Sequence, residues 1–291
     1  MEKSFLESAK GNKSKCHFCQ VCDGKGCIGE MPGMGGVFQN ANFIANCADW
    51  HKYTKTSNSL PKIRLAPITG AVENVGWVDE KSFYETLLTA VSKAGVDLSI
   101  GDGTPDEKLL YGIEALKKLK KKAAVFIKPY PQDIFFERLT WAEDVAEVLG
   151  IDIDSYNIVT MRNLVNLEKK SSAQLLEIKQ RAKCPFALKG VFTKADLETV
   201  ASVKPDIVVI SNHGGRVETN RKSTADFLAE NYCFLKKHCG EIWVDGGLRT
   251  SADLKVAKAL GAKTVLLGRP FLTALLRDGE TGVLNLVKSF L

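Results

Sequence analysis

The sequence predicts an α/β protein: a TIM-type (β/α)₈ barrel with a short Cys/Gly-rich N-terminal extension. From residue 61 onward, short apolar runs alternate with helical stretches, and this happens eight times. Eight strand-then-helix units over about 230 residues match a barrel of ~250 residues better than a doubly wound open sheet, which has fewer units. Polar, glycine-bearing segments begin abruptly where several of the apolar runs end. In a parallel α/β protein those strand ends are where sites are built.

Residues 1–60 form the extension. Cys16, Cys19, Cys22 and Cys27 crowd together among Gly24-Lys25-Gly26 and Pro32-Gly33-Met34-Gly35-Gly36, a loop-rich stretch that a local structure or a metal must organise. A helix is expected within 38–53. Residues 61–291 form the barrel. Its first strand is Ile63-Arg64-Leu65-Ala66, ended by Pro67. The helix at 80–94 puts Phe83, Leu87, Leu88 and Val91 on one face. A second strand at 97–100 is broken by Gly101-Asp102-Gly103. A helix at 105–118 and a third strand at 123–127 follow. The next helix is expected at 132–149, with Gly150 ending it, and Ile151-Asp152-Ile153 as a short fourth strand.

After a helix at 173–181, the fifth strand is Phe186-Ala187-Leu188, ending at Lys189-Gly190. A helix at 194–202 leads to the sixth strand, Asp206-Ile207-Val208-Val209-Ile210, whose β-branched run reads as fully buried. The remaining units are a helix at 225–238, a strand Ile242-Trp243-Val244, a helix at 251–260 and a strand at 264–267. Helices close the chain.

Composition excludes several classes. The 291 residues are 45% hydrophobic, enough for a sizeable core, and 40 basic against 34 acidic residues give a mild charge of +6 that favours anionic ligands. The longest basic run, Lys117-Lys118 with Lys120-Lys121-Lys122, lies at a helix end, where cations complement the helix dipole. No nucleic-acid partner is expected. No apolar segment approaches ~20 residues, so no membrane span is expected. Residues 1–15 are polar and lack a signal core, and eight cysteines without one point to a reduced, cytoplasmic protein. A homo-oligomer is expected.

Collecting the strand ends assembles one face. Strand one offers Ala66, Pro67, Ile68 and Thr69, strand two Ser99, strand three Lys128 and Tyr130, strand four Asp152 and Asp154, and strand five Lys189. Strand six offers Ser211-Asn212-His213-Gly214-Gly215-Arg216. An imidazole takes a proton near neutral pH, and a guanidinium grips a carboxylate with two parallel hydrogen bonds. His213 and Arg216 therefore suit proton removal from an acid held by its carboxylate. Strands seven and eight end in Asp245-Gly246-Gly247-Leu248-Arg249 and Gly268-Arg269-Pro270. Two glycine-bearing ends in a row, each with an arginine, fall where barrels bind phosphate.

These segments, with Leu188-Lys189-Gly190-Val191 and Leu267-Gly268-Arg269-Pro270, resemble the FMN-dependent α-hydroxy acid oxidase/dehydrogenase family. The resemblance covers about residues 60–275 and is strongest from 185 on. It implies a barrel that binds FMN and oxidises a 2-hydroxy acid to a 2-keto acid, passing two electrons to an acceptor that the sequence does not identify. It also implies roles. His213 matches the base, Arg216 the carboxylate clamp, and Lys189 the lysine beside flavin N1 and O2. Asp245, Gly246, Gly247, Arg249, Gly268 and Arg269 match the ribityl and phosphate site, and Ala66, Pro67, Ser99 and Ser211 match flavin contacts; Lys128, on a departing segment, is a further expected cofactor-binding residue.

The chain departs from the family at several points. Gly101 replaces a tryptophan, Lys128-Pro129-Tyr130 stands where the family has Gln-x-Tyr, and the long loop after strand four shrinks to 161–172, with Arg162 as a substitute for a second substrate arginine. The substrate pocket is thus rebuilt around a retained base and clamp. Two alternatives remain: a flavin barrel without net redox chemistry, as in type 2 isopentenyl diphosphate isomerase, and a flavin- or metal-binding electron-transfer module. Cys16-x₂-Cys19-x₂-Cys22-x₄-Cys27 supports zinc or an iron–sulfur cluster, although the fourth cysteine is one residue late for a bacterial ferredoxin run.

Overall fold

The computed structural model describes residues 41–72, 77–157, 165–217 and 222–291. Cys16, Cys19, Cys22, Cys27 and Arg162 lie outside them. The strands are β1 (Lys62–Leu65), β2 (Ser99–Gly101), β3 (Ala123–Ile127), β4 (Ala146–Asp152), β5 (Phe186–Val191), β6 (Ile207–Ile210), β7 (Glu241–Val244) and β8 (Thr264–Leu267). They form one eight-stranded parallel sheet in the order β1-β8-β7-β6-β5-β4-β3-β2. A bridge between Arg64 and Asp97 brings β1 back towards β2, so the barrel is nearly closed.

Helices α1 (Ala41–Ala48), α2 (Glu80–Lys93), α3 (Glu107–Leu119), α4 (Gln132–Ala142), α5 (Ser172–Arg181), α6 (Lys194–Val203), α7 (Thr224–His238), α8 (Ser251–Ala259) and α9 (Arg269–Phe290) complete the fold. Local chemistry starts many of them. Ser171, Thr193 and Thr250 each accept a hydrogen bond from the helix backbone, and Gln174, Asp196 and Asp253 bond back to close capping boxes.

One expected element is corrected. The helix expected at 132–149 ends at Ala142, and β4 begins at Ala146 rather than at Ile151. The stretch from Val145 to Ile153 is almost entirely buried, so its apolar residues show no one-sided period that would separate strand from helix. Pairing with β3 and β5 decides it. Gly150 is therefore no helix end. It sits mid-strand against Phe126, whose ring occupies the place a Cβ would need.

Side-chain alternation along the strands divides the core. Outward strand residues such as Val125, Ile151, Leu188, Val208 and Val265 share one core cluster with helix residues Phe83, Leu87, Phe135, Leu228 and Phe271. Inward residues Ala124, Phe126, Val148, Ala187, Ile207, Val209, Trp243 and Leu266 fill the barrel, with Ala66 packed on them. Arg64 belongs to the opposite end of the interior, stacked over Trp243 at 5.0 Å and paired with Glu147 at 2.7 Å. Two residues further along each strand, at the C-terminal ends, the inward positions change character. They become Lys128, Asp152, Lys189, Ser211, Asp245 and Gly268.

Candidate active site

This top inward layer is charged and buried. Lys128, Asp152 and Lys189 are all at most 6% exposed. Lys189 Nζ lies 3.0 Å from Asp152 Oδ1, and Lys128 Nζ 3.5 Å from Asp152 Oδ2. Burial works against the Lys189 ammonium, but Asp152, Asp245 and Asp154 outweigh it and push it up to about 12. Burial also opposes ionisation of Asp152, yet Lys189, His213 and Lys128 hold its carboxyl well below the usual range. Asp245 differs: its burial dominates and raises its carboxyl, despite Lys189 nearby and a 2.8 Å hydrogen bond from Ser211 Oγ.

His213 sits directly above. Its backbone takes a left-handed φ of 53°, uncommon outside glycine and found more often at functional positions. Its Nδ1 is 2.8 Å from Asp154 Oδ2 and its Nε2 is 3.4 Å from Asp152 Oδ2. Asp154 reaches it because β5 carries a bulge: the register slips between Lys189 and Val191 at Gly190 (φ 92°), and a Cβ there would collide with the Asp154 side chain. Arg216 follows one turn later, half-buried, with Nη1 donating to the His213 carbonyl at 3.3 Å.

The loop that carries His213 is pinned from outside the barrel. Asn212 Oδ1 accepts from Gly215 N at 2.9 Å and from Asn46 Nδ2 at 2.8 Å, while Asn46 Oδ1 accepts from Thr224 N at 3.0 Å. Asn42 Nδ2 donates to the Val217 carbonyl, and Trp50 Nε1 to the Gly246 carbonyl. Helix α1 thus fastens the loops of β6 and β7 together. At the rim, Arg269 stacks on Phe43 at 4.2 Å and donates to the Gly214 carbonyl, and Arg249 donates to the Leu248 carbonyl. On the far side, Arg138 pairs with Asp102 and Asp106, and the Asp102 carboxylate accepts from the Lys128 backbone at 3.1 Å.

The expected site residues therefore converge. Lys128, Lys189, Ser211, Asp245, His213 and Arg216 meet at one mouth, with Ala66, Gly246, Gly247, Gly268, Arg249 and Arg269 at the ends of the neighbouring strands and Ser99 buried on β2. Asp154 and Asp152, at the end of strand four, join them: Asp154 lies 2.8 Å from His213 Nδ1 and Asp152 3.4 Å from its Nε2. The acidic pair spaced by one residue after an apolar run was the available signal. Asn46 had none, since its partners lie 166 and more residues away.

The donor set fits FMN. Lys128 and Lys189 are buried ammoniums at the end of the barrel, and Arg249 and Arg269 stand at the ends of β7 and β8, a cationic set suited to a phosphate-bearing ligand. Among the described residues, Asp245 Oδ1 and Ser99 Oγ are buried without a hydrogen-bond partner, suited to ribityl hydroxyls and a polar ring edge. FMN would be held by the arginines at its phosphate and by Lys189 and Lys128 at its ring.

A histidine on a carboxylate, buried ammoniums and arginines at the rim thus gather at the C-terminal end of the sheet. Comparison with known proteins specifies the class. Residues 120–290 match the model of the FMN-dependent dehydrogenase family. The chain belongs to that family. It is 41% identical over 99 residues to 2-hydroxyacid oxidase 2 of Rattus norvegicus, covering 34% of this chain and 28% of that protein. It is 39% identical over 160 residues to an L-lactate dehydrogenase of Stenotrophomonas maltophilia, covering 50% of this chain and 42% of the relative. These alignments thus span less than half the length of the curated relatives. Two solved structures share the fold: a mandelate oxidase with benzoyl-formic acid (TM-score 0.67, 20% identity, 99% of this chain and 90% of that one) and a flavocytochrome b2 variant with sulfite (0.68, 21%, 86% and 72%). Among the described residues, no helix is long and apolar enough to cross a membrane.

Proposed function

We propose that this protein is an FMN-dependent oxidoreductase that converts a small 2-hydroxy acid into the 2-oxo acid. The observation that carries the reading is His213, fixed by Asp154 at 2.8 Å above the buried Lys189 and one turn from Arg216. Arg216 binds the substrate carboxylate with its planar fork. His213 Nε2 accepts a proton from the bound acid while Asp154 orients the ring through Nδ1. Oxidation to the 2-oxo acid removes two electrons and two protons in total. FMN, when bound, supplies the two-electron acceptor. Lys189 places a fixed positive charge where negative charge gathers on reduction, without having to reorganise. An acceptor of unidentified chemistry then returns the site to its starting state.

The similarity to a 2-hydroxyacid oxidase and an L-lactate dehydrogenase favours this chemistry over an isomerase. The test is anaerobic addition of glycolate, L-lactate, mandelate and longer 2-hydroxy acids to the yellow, FMN-loaded protein. Bleaching by at least one of them supports the reading, and a colour that persists with all of them rejects it. The cysteine cluster of the extension is proposed to hold zinc or an iron–sulfur cluster. Iron with acid-labile sulfide would make it an electron relay, and stoichiometric zinc a structural staple. Four freely reactive thiols with neither metal would discard both.

A further inference from the structure

Asp152 is the hub of the buried layer. It closes β4 and touches groups from three other places in the fold: Lys128 at the end of β3, Lys189 on β5 and His213 on the loop after β6. The carboxylate is 5% exposed in its side chain, and the two lysines are 7% and 3%. We infer that Asp152 is a positioning residue and the built-in counter-charge of the site, fixing both ammoniums and the Nε2 edge of His213 and setting how much positive charge the mouth presents to its cofactor. The inference rests on the FMN reading given above.

Two ammoniums in one dry layer carry a large desolvation penalty and repel each other. One carboxylate between them reduces the local charge from +2 to +1 and gives each a partner. Lys189, His213 and Lys128 hold the Asp152 carboxyl well below the usual range, which suits a fixed negative charge rather than a proton relay. Its role is therefore positional and electrostatic. A bound metal is also disfavoured. Asp152, Asp154 and His213 offer ligand atoms within 4.8 Å of one another, but the two ammoniums already occupy the cationic side of Asp152. The division of labour with Asp154 follows from distance. Asp154 holds Nδ1 at 2.8 Å and orients the ring, whereas Asp152 stands 3.4 Å from the nitrogen that works.

Asp152→Asn preserves shape and an acceptor towards His213 while removing the charge. In the FMN-loaded protein, reduction adds negative charge beside Lys189. Asp152→Asn is expected to move the two-electron equilibrium at least tenfold towards the reduced form, about 30 mV upward. Lys128→Gln is expected to move it in the opposite direction, and the double variant, restored to a local charge of +1, to fall between the single variants. An unmoved potential in Asp152→Asn, or a double variant outside that interval, overturns the inference. A second readout needs no flavin: NMR titration of lysine side-chain signals in the cofactor-free protein. There, loss of Asp152 should lower the proton affinity of Lys189 at least tenfold, and an unchanged titration overturns the inference. If Asp152→Asn does not fold, the charge-balanced double variant is compared with Lys128→Gln in the same titration, with the same direction expected. Protein that takes up no FMN contradicts the functional reading, while the lysine titration still judges Asp152.

Discussion

The two halves of the barrel contribute to the site in different ways. From β5 to β8, functional groups come in contiguous segments: Lys189-Gly190, Ser211 to Arg216, Asp245 to Arg249 and Gly268-Arg269. Each segment brings its own turn glycines and its own charge. From β1 to β4 they come as single side chains reaching inward from unremarkable strands: Ser99, Lys128, Asp152 and Asp154. In the proposed reaction the second half carries the base, the clamp and the phosphate site, and the first half adjusts them from across the mouth. The family match, residues 120–290, covers the whole second half and also β3 and β4 of the first.

The comparison is broken most severely at the base. His213→Ala is expected to retain FMN, because no phosphate-side group is lost, and to slow substrate-driven bleaching by at least ~10²-fold in stopped-flow mixing. Near-normal bleaching in that variant would move the base out of the second half. A smaller effect tests whether helix α1 organises the second half. Asn46→Ala removes the partner of Asn212 and of the Thr224 amide. Each buried group left unpaired costs about 1–3 kcal/mol, measurable as a lower urea midpoint. An unshifted midpoint would mean that the loops hold themselves.

Gly150→Ala probes the first half in the same currency. Its new methyl meets the Phe126 ring, so a loss of about 1–3 kcal/mol is expected, partly recovered when Phe126→Leu is added. The smallest effect is a slope. Burial pushes Asp102 up to about 6 against the pull of Arg138. Because its folded-state value is raised, the folded protein holds that proton longer than the unfolded chain, and the group's contribution to stability falls as pH rises from about 4 to about 6. Asp102→Asn should flatten that part of the stability profile, whatever it does to the absolute value. An identical slope in the variant would assign the pH dependence to other carboxylates.

Much of this was legible in the residues. The barrel followed from alternating short apolar runs and helical stretches, and the second-half motifs followed from turn glycines placed beside charges. β4 was misplaced because both of its faces are buried, which erases the period that separates strand from helix. The role of Asp152 was hidden because it depends on Lys128, Lys189 and His213 arriving from other strands. No local pattern encodes such a meeting. Asn46 was hidden for the same reason, and Asp154 depends on the bulge at Gly190, which shows only in the register of β5 against β6.

The most direct measurement of the central claim is a single-turnover product count. FMN-loaded protein is mixed anaerobically with the 2-hydroxy acid that bleaches it, and the organic product is quantified against the flavin bleached. The account predicts one equivalent of the corresponding 2-oxo acid per FMN, with the same count whether or not metal is present at the extension. Bleached flavin without 2-oxo acid, or a fully loaded protein from which no 2-hydroxy acid yields any, would contradict it.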